Sequence, residues 1–408
     1  MRLNKREIQV IRTLAQEYMQ LALMPRQEET KKLWYSINDG TMQRPMVLID
    51  QVCWEEMDVD GSLKCEVKDP WWRGVEYQLR RDIYQAKHMP ADRVFEPWIL
   101  IDLPVENSGW GVDVDRTVAR HEDNEALSMV FHNQLEDWED LEKIKIPHLS
   151  RCPLEEYTIT QEANEVFNGV APWKWRGICM HLGVWDTISQ WMNVENCYIE
   201  IMDRPEFVHA IMEKMTLGLE NMIADADAQS MFDVTGNVCH CSHTYSSDFQ
   251  EGREGRVKNA WAFGLAQLFT SVSPKVTEEF EVKYMQRIFK KFGAVYYGCC
   301  DRLDDRLDVI DKLPNVRKIS CSPWSERERF AANLPKKYIM SNKPTPALLA
   351  TDVFHEDQVR ADIRRTIQAA RAHDVRLELI LKDISTVRRQ PQRLWRWAEI
   401  AMEEVGKA

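Results

Sequence analysis

The sequence predicts an α/β fold, a (β/α)8 barrel with an N-terminal helical extension and an inserted hairpin. Three observations lead there. From about residue 230, short strand-like runs alternate with helical patterns. Those runs are nearly all apolar, as strands of a parallel sheet covered on both faces must be. About four such units follow residue 290, and the preceding chain has room for about four more. A doubly wound open sheet is the alternative arrangement of the same elements.

Residues 1–40 carry Ile8, Ile11, Leu14, Tyr18 and Leu21 at helical spacing. A strand is expected at 45–50, aromatic and charged capping helices at 69–90, and a strand at 95–102. The segment 104–150 contains Gly109, Gly111, alternating valines and many acids, which suits an inserted hairpin with loops. A strand at 176–183 and a short helix at 185–192 follow. The helix at 205–229 opens on Pro205, where a missing N–H costs nothing. Next come a strand at 231–238 and helices at 257–271 and 277–291. The last units pair strands at 294–298, 316–320, 337–341 and 376–382 with helices at 303–312, 324–333, 355–373 and 390–406. The expected division is an extension over 1–90 and the barrel over 91–408.

Composition narrows the function. A chain of 408 residues, 44% hydrophobic, can bury a large core. Its net charge of −12, from 53 basic and 65 acidic residues, argues against a nucleic-acid partner. No run approaches the roughly 18 apolar residues that suggest a membrane span. The N-terminus lacks the apolar core of a signal peptide, so a cytoplasmic location is expected. Ten cysteines are then reduced: packing residues, ligands or nucleophiles.

In a barrel, groups at the C-terminal strand ends share one mouth. This places His181, the cluster Cys239-His240-Cys241-Ser242-His243, Cys299, Cys300, Cys321, Lys343, Lys382 and Asp383 together. Thiolates and imidazoles bind zinc, so Cys299, Cys300, Cys241 and His240 form a candidate metal set. A cysteine-rich loop packed at the mouth is the competing reading. Cys321 reads as a packing residue. Lys343, Lys382 and Asp383 offer acid–base chemistry, and Glu279 sits near a helix start from which it could approach the mouth. Among 15 tryptophans, Trp185, Trp261 and Trp324, with His181, are candidates to hold a flat substrate. Tryptophan-rich loops would equally suit a homodimer interface.

At these residues the chain resembles the uroporphyrinogen decarboxylase superfamily, which includes methyltransferases that exchange methyl groups with corrinoid proteins. The likeness spans roughly 175–406. It rests on Ser273-Pro274 with Glu279-Phe280, on Val295-Tyr-Tyr-Gly-Cys-Cys300 followed by Asp304, and on the segments 341–346 and 382–385. The resemblance implies a (β/α)8 barrel and, best, an O-demethylating methyltransferase of anaerobes. Such an enzyme moves a methyl group from a small methoxy-aromatic donor to the cobalt of a separate corrinoid protein. Cobalamin would arrive on that partner, since no Asp-x-His-x-x-Gly signature is present. The decarboxylase's arginine-rich N-terminal signature is absent. The methyltransferases' His-x-Cys maps to Tyr297 and Cys299, so other zinc ligands would come from Cys241, Cys300, His240 or Glu279. A metal-free decarboxylase using Lys343, Lys382, Arg302 and Asp383 is the alternative, and a non-catalytic barrel in a corrinoid pathway a third.

Overall fold

The computed structural model describes residues 2–120, 127–236, 238–249 and 254–407. Its centre is a six-stranded, wholly parallel sheet. Numbering the parallel strands in chain order, these are β1 (Met46–Ile49), β2 (Ile99–Asp102), β3 (Trp173–Arg176), β4 (Trp261–Gly264), β5 (Ala294–Tyr297), β6 (Val316–Cys321), β7 (Ile339–Asn342) and β8 (Arg376–Leu381). The main sheet runs β1-β8-β7-β6-β5-β4. Consecutive strands from β4 to β8 are therefore neighbours, and the first strand lies beside the last. That order curls the sheet round on itself.

β2 and β3 form a separate parallel pair. Irregular backbone links them to the main sheet. Phe263 of β4 donates its N–H to the Met180 carbonyl at 3.0 Å and accepts from Leu182 at 2.7 Å. Ile178 pairs with Phe232 in an isolated bridge. At the other edge, Asp92 bonds Val47 of β1 through both backbone and carboxylate. A cut at residue 90 would separate β1 from this sheet, because β1 pairs with β8 along its whole length.

Alternation along the strands sorts the side chains. Met46, Leu48, Phe263, Tyr296, Ile339 and Ile380 face the concave interior. Their neighbours Val47, Ala262, Tyr297, Ile319, Cys321 and Leu379 face the helices outside. Cys321 is fully buried on that outer face, as its packing role requires. The N-terminal helix Lys5–Ala22 starts at an Asn4–Glu7 capping box and packs on the helices Pro70–His88 and Pro153–Phe167.

Most late elements lie within two or three residues of expectation. Two regions differ. The segment expected as a strand at 231–238 holds an isolated bridge at Phe232 and then a tight ribbon, Val238–Cys239 against Ser242–His243; Asn237 lies outside the described residues. The expected helix at 257–271 contains β4 instead, flanked by 3-10 turns at Val257–Asn259 and Gln267–Ser271. Trp-Ala-Phe-Gly is too short an apolar run for its periodicity to separate strand from helix. The 104–150 insertion forms two antiparallel ribbons, one pairing Arg116–Arg120 with Leu127–Phe131 and the other Val105–Asn107 with Leu149–Arg151. Its residues 121–126 lie outside the description.

Candidate functional site

The loop after β5 is shaped by Gly298, whose φ of +89° is strained for any L side chain. A Cβ there would sit 2.5 Å from a Leu303 methyl and 3.1 Å from the Ser320 Cβ. This turn sends Cys299 into the concave interior, where it is 6% exposed. Cys300 faces the rim and is half-buried. Asp301 Oδ1 fixes the turn by accepting the Cys299 N–H at 2.7 Å.

Lys382, just beyond β8, donates to Cys299 Sγ at 2.9 Å and lies 3.4 Å from His240 Nε2. The two thiols approach to 3.6 Å, and the Cys300 thiol also meets Asp383 Oδ2 at 3.0 Å. Cys300 has one proton and two acceptors. A proton held by Cys300 leaves Cys299 as the thiolate. The Cys299 pKa is accordingly lowered, first by its bond to Cys300 and, against burial, by His240 and Lys382. Cys300 is raised by the same bond and by burial. Burial opposes charge on Lys382, but Cys299 outweighs it and raises the amine above its usual range.

His240 sits in a left-handed conformation at φ 56° and stacks on Phe263 at 3.8 Å with a 5° interplanar angle. Burial works against its charge, yet Cys241 and Cys299 more than compensate and lift its pKa to about 9. Cys241, fully buried, is lowered by Lys343 and His240 in spite of its burial. Lys343 Nζ lies 3.3 Å from Cys241 Sγ and bonds Ser341 Oγ at 2.9 Å and the Tyr296 hydroxyl. Beside them, Lys318 and Glu378 form a completely buried pair at 2.8 Å, shared with Ser242.

The ordering of charges can be checked directly. Replacing Lys382 with methionine is expected to raise the pH at which Cys299 reacts with iodoacetamide by at least about one unit, since an opposite charge within about 4–6 Å shifts a pKa by roughly 1–3 units. Thiol titration by ultraviolet absorbance on the Cys300→Ser background measures this; an unchanged midpoint would contradict the pairing.

The structure brings together His240, Cys241, Cys299, Cys300, Lys343, Lys382 and Asp383. It places others elsewhere. Glu279 is 55% exposed at its side chain and pairs with His209 at 3.2 Å, away from the mouth. The acid buried in that turn is Glu281, beside Asp186 and Asp301, and neither of its oxygens has a hydrogen-bond partner among the described residues. Tyr297 faces the helices, because alternation gives the interior to Tyr296. Trp185 is core, donating to the Phe280 carbonyl at 3.2 Å. Trp324 is 73% exposed. Trp261 is buried on the concave side against Phe249. His181 stands half-exposed, 3.9 Å from Asp186.

The four expected zinc ligands, Cys241, His240, Cys299 and Cys300, are neighbours, but they do not surround a common point. Among the described residues, no three His, Cys, Asp or Glu side chains are grouped to hold a metal ion. Ammonium groups occupy the neighbouring space: Lys382 against Cys299 and Lys343 against Cys241. The donor set of this geometry fits charge-balanced thiolates, not a zinc shell of three ligands.

Sequence reasoning missed Tyr296, Lys318, Glu378, Glu281 and Asp301. A signal was present for two of them. Glu378 interrupts the apolar run Leu377–Leu381, Lys318 lies in the middle of a covered strand, and a charge there needs a partner.

A cavity of about 550 Å³ opens beside this cluster, with His240, Cys179 and Asp50 in its wall along with Trp54, Arg81 and Arg176. It meets the cluster through His240; Cys299 and Lys382 are not part of its lining.

Fold and site together define a parallel α/β chain with thiols, amines and an imidazole gathered at its strand ends. No family model matches the chain, and no curated protein does. Among solved structures it is similar to a methyltransferase from Methanosarcina mazei, at 13% identity and a TM-score of 0.53, over 92% of this chain and 98% of that one. At that identity the likeness is one of fold. No helix among the described residues is long and apolar enough to cross a membrane.

Proposed function

We propose that this protein is a methyltransferase built on a (β/α)8 barrel, taking a methyl group from a small methoxy-aromatic donor for a separate corrinoid protein. The observation that carries this reading is the placement of Lys382 Nζ, 2.9 Å from Cys299 Sγ and 3.4 Å from His240 Nε2, with His240 itself in the cavity wall. The fold likeness to a methyltransferase is consistent with it.

A corrinoid docked on the mouth would supply the nucleophile that accepts the methyl group. The chain's own residues supply the rest. Cleaving an aryl methyl ether leaves negative charge on the ether oxygen, and a proton delivered there converts a poor leaving group into a phenol. His240 is the group suited to give that proton, held charged near neutral pH by the thiolates around it. Phe263, stacked on the imidazole, holds it in place, and solvent at the open mouth returns the proton after release. No step is assigned to zinc.

Incubating the protein with a reduced corrinoid protein and a panel of methoxy-aromatics tests the reading. Equimolar phenol and methylated corrinoid are the expected products; no turnover with any panel member would end it. The buried amines Lys343 and Lys382 also suit electron withdrawal in a metal-free decarboxylation. Release of CO2 without methyl transfer would decide for that chemistry.

A further inference from the structure

We propose that Arg81 is the anchor of a carboxylate-binding subsite, so that the small molecule entering the cavity is an organic acid. This rests on the methyl-donor reading and specifies its substrate class. Arg81 projects from the helix Pro70–His88 into the cavity wall. Its guanidinium lies 3.2 Å from the Tyr77 ring centroid and 4.7 Å from that of Trp54. Two aromatic faces thus hold it in place.

The other arginines of the cavity are engaged. Arg93 donates to Asp82 at 3.1 Å and Arg176 to Asp102 at 2.5 Å. Two of the nearby acids are likewise committed: Glu96 accepts from Lys31 at 2.8 Å, and Asp233 accepts the Thr235 N–H at 3.0 Å. The Arg81 guanidinium, by contrast, has its two ring contacts and no hydrogen bond or ion pair among the described residues; Glu55 and Cys65 act on its charge only at longer range. A half-buried guanidinium fixed by stacking keeps its donors free in a planar fork, which matches the two oxygens of a carboxylate. Trp54 beside it offers an apolar face to a flat ligand.

The cavity gives this anchor a direction. His240 and Arg81 line the same space, so a ligand held by its carboxylate at Arg81 can extend its far end to His240. The reacting methyl ether would then lie on the side away from the acid group. Cys179, which is exposed and approaches Cys239 Sγ to 3.4 Å, borders the same passage.

Calorimetry on the whole chain, with no methyl acceptor present, separates this proposal from methyl transfer itself. The probes are 4-methoxybenzoate, its neutral counterpart 4-methoxybenzamide, and inorganic phosphate. The wild type is expected to prefer the benzoate over the amide by about 10- to 100-fold, the range for a hydrogen bond to a charged group. Arg81→Gln is expected to erase that preference, and Arg81→Lys to retain part of it because it keeps the charge but not the fork. Near-ultraviolet circular dichroism confirms that both variants are folded. Equal binding of benzoate and amide, an undiminished preference in Arg81→Gln, tighter binding of phosphate than of benzoate, or no binding of any probe would each overturn the subsite. Benzoate binding here, joined to no turnover when the reduced corrinoid protein is supplied in the separate assay, would uphold the subsite while counting against the methyl-transfer reading.

Discussion

Replacing Lys318 with methionine is expected to destabilise the protein by about 3–5 kcal/mol, the cost of leaving one member of a buried ion pair alone. Both side chains of the Lys318–Glu378 pair have no solvent exposure. Lys318 also bonds Ser242 Oγ at 2.5 Å and the His243 carbonyl at 3.1 Å, tying the inserted thiol-bearing ribbon to the sheet. Among the described residues Glu378 Oε1 has no hydrogen-bond partner. Without the ammonium, the carboxylate would keep only the hydroxyls of Ser242 and Ser341 beside it.

The pH dependence follows from the same pair. Burial raises the Glu378 pKa, but Lys318 and Lys343 outweigh it, so the folded-state value is lowered. A lowered carboxylate contributes stability above its unfolded pKa of about 4.5, lost as pH falls through the folded value. In Lys318→Met the burial effect gains weight, so the carboxyl holds its proton more tightly and stability drops as pH rises. Urea denaturation at pH 5 and pH 8 should show a larger deficit at pH 8. The double variant Lys318→Met/Glu378→Leu should recover much of the loss, since an apolar pair of similar volume can replace a buried ion pair. A single-variant cost below about 1 kcal/mol would show that the pair is not held as described.

Replacing His240 with glutamine is expected to slow methyl transfer by roughly 10²- to 10⁴-fold, the usual contribution of a positioned acid. The sign of the pH effect is fixed by the raised pKa. Above about 9 the ring loses its proton, so the wild-type rate should hold steady from neutral pH and fall beyond that point. The glutamine variant should lack this limb. The same shift has a stability counterpart. A raised histidine contributes fully below its ordinary value of about 6.5, and its contribution is lost as pH rises through about 9. Proton resonances of the ring through the titration measure the pKa without turnover, which separates a wrong charge state from a wrong reaction.

Much of the late chain could be read from residues 294–406 alone. Strands such as Ala294–Tyr297 and Arg376–Leu381 are short, apolar and bounded by helical patterns, so their type and approximate ends follow from composition. The rim thiols and amines were legible for the same reason. A polar group after an apolar parallel strand sits at a strand end, and parallel strands put those ends on one side. The zinc set rests on residue type and rim position alone. Sequence places Cys299, Cys300, Cys241 and His240 on the same rim, but whether they surround a common point depends on turns.

The sequence by itself therefore determined the alternation of strands and helices and the identity of the rim segment with its paired thiols. Those features are local, set by apolar periodicity and charge. Only the tertiary structure decided that Lys382 lies against Cys299, that Tyr296 and not Tyr297 faces inward, that Glu279 turns to solvent, and that Arg81 shares a cavity with His240. Each of these depends on register or on contacts between segments from about 60 to 160 residues apart, where a one-residue slip inverts every side chain and no local pattern records the partner.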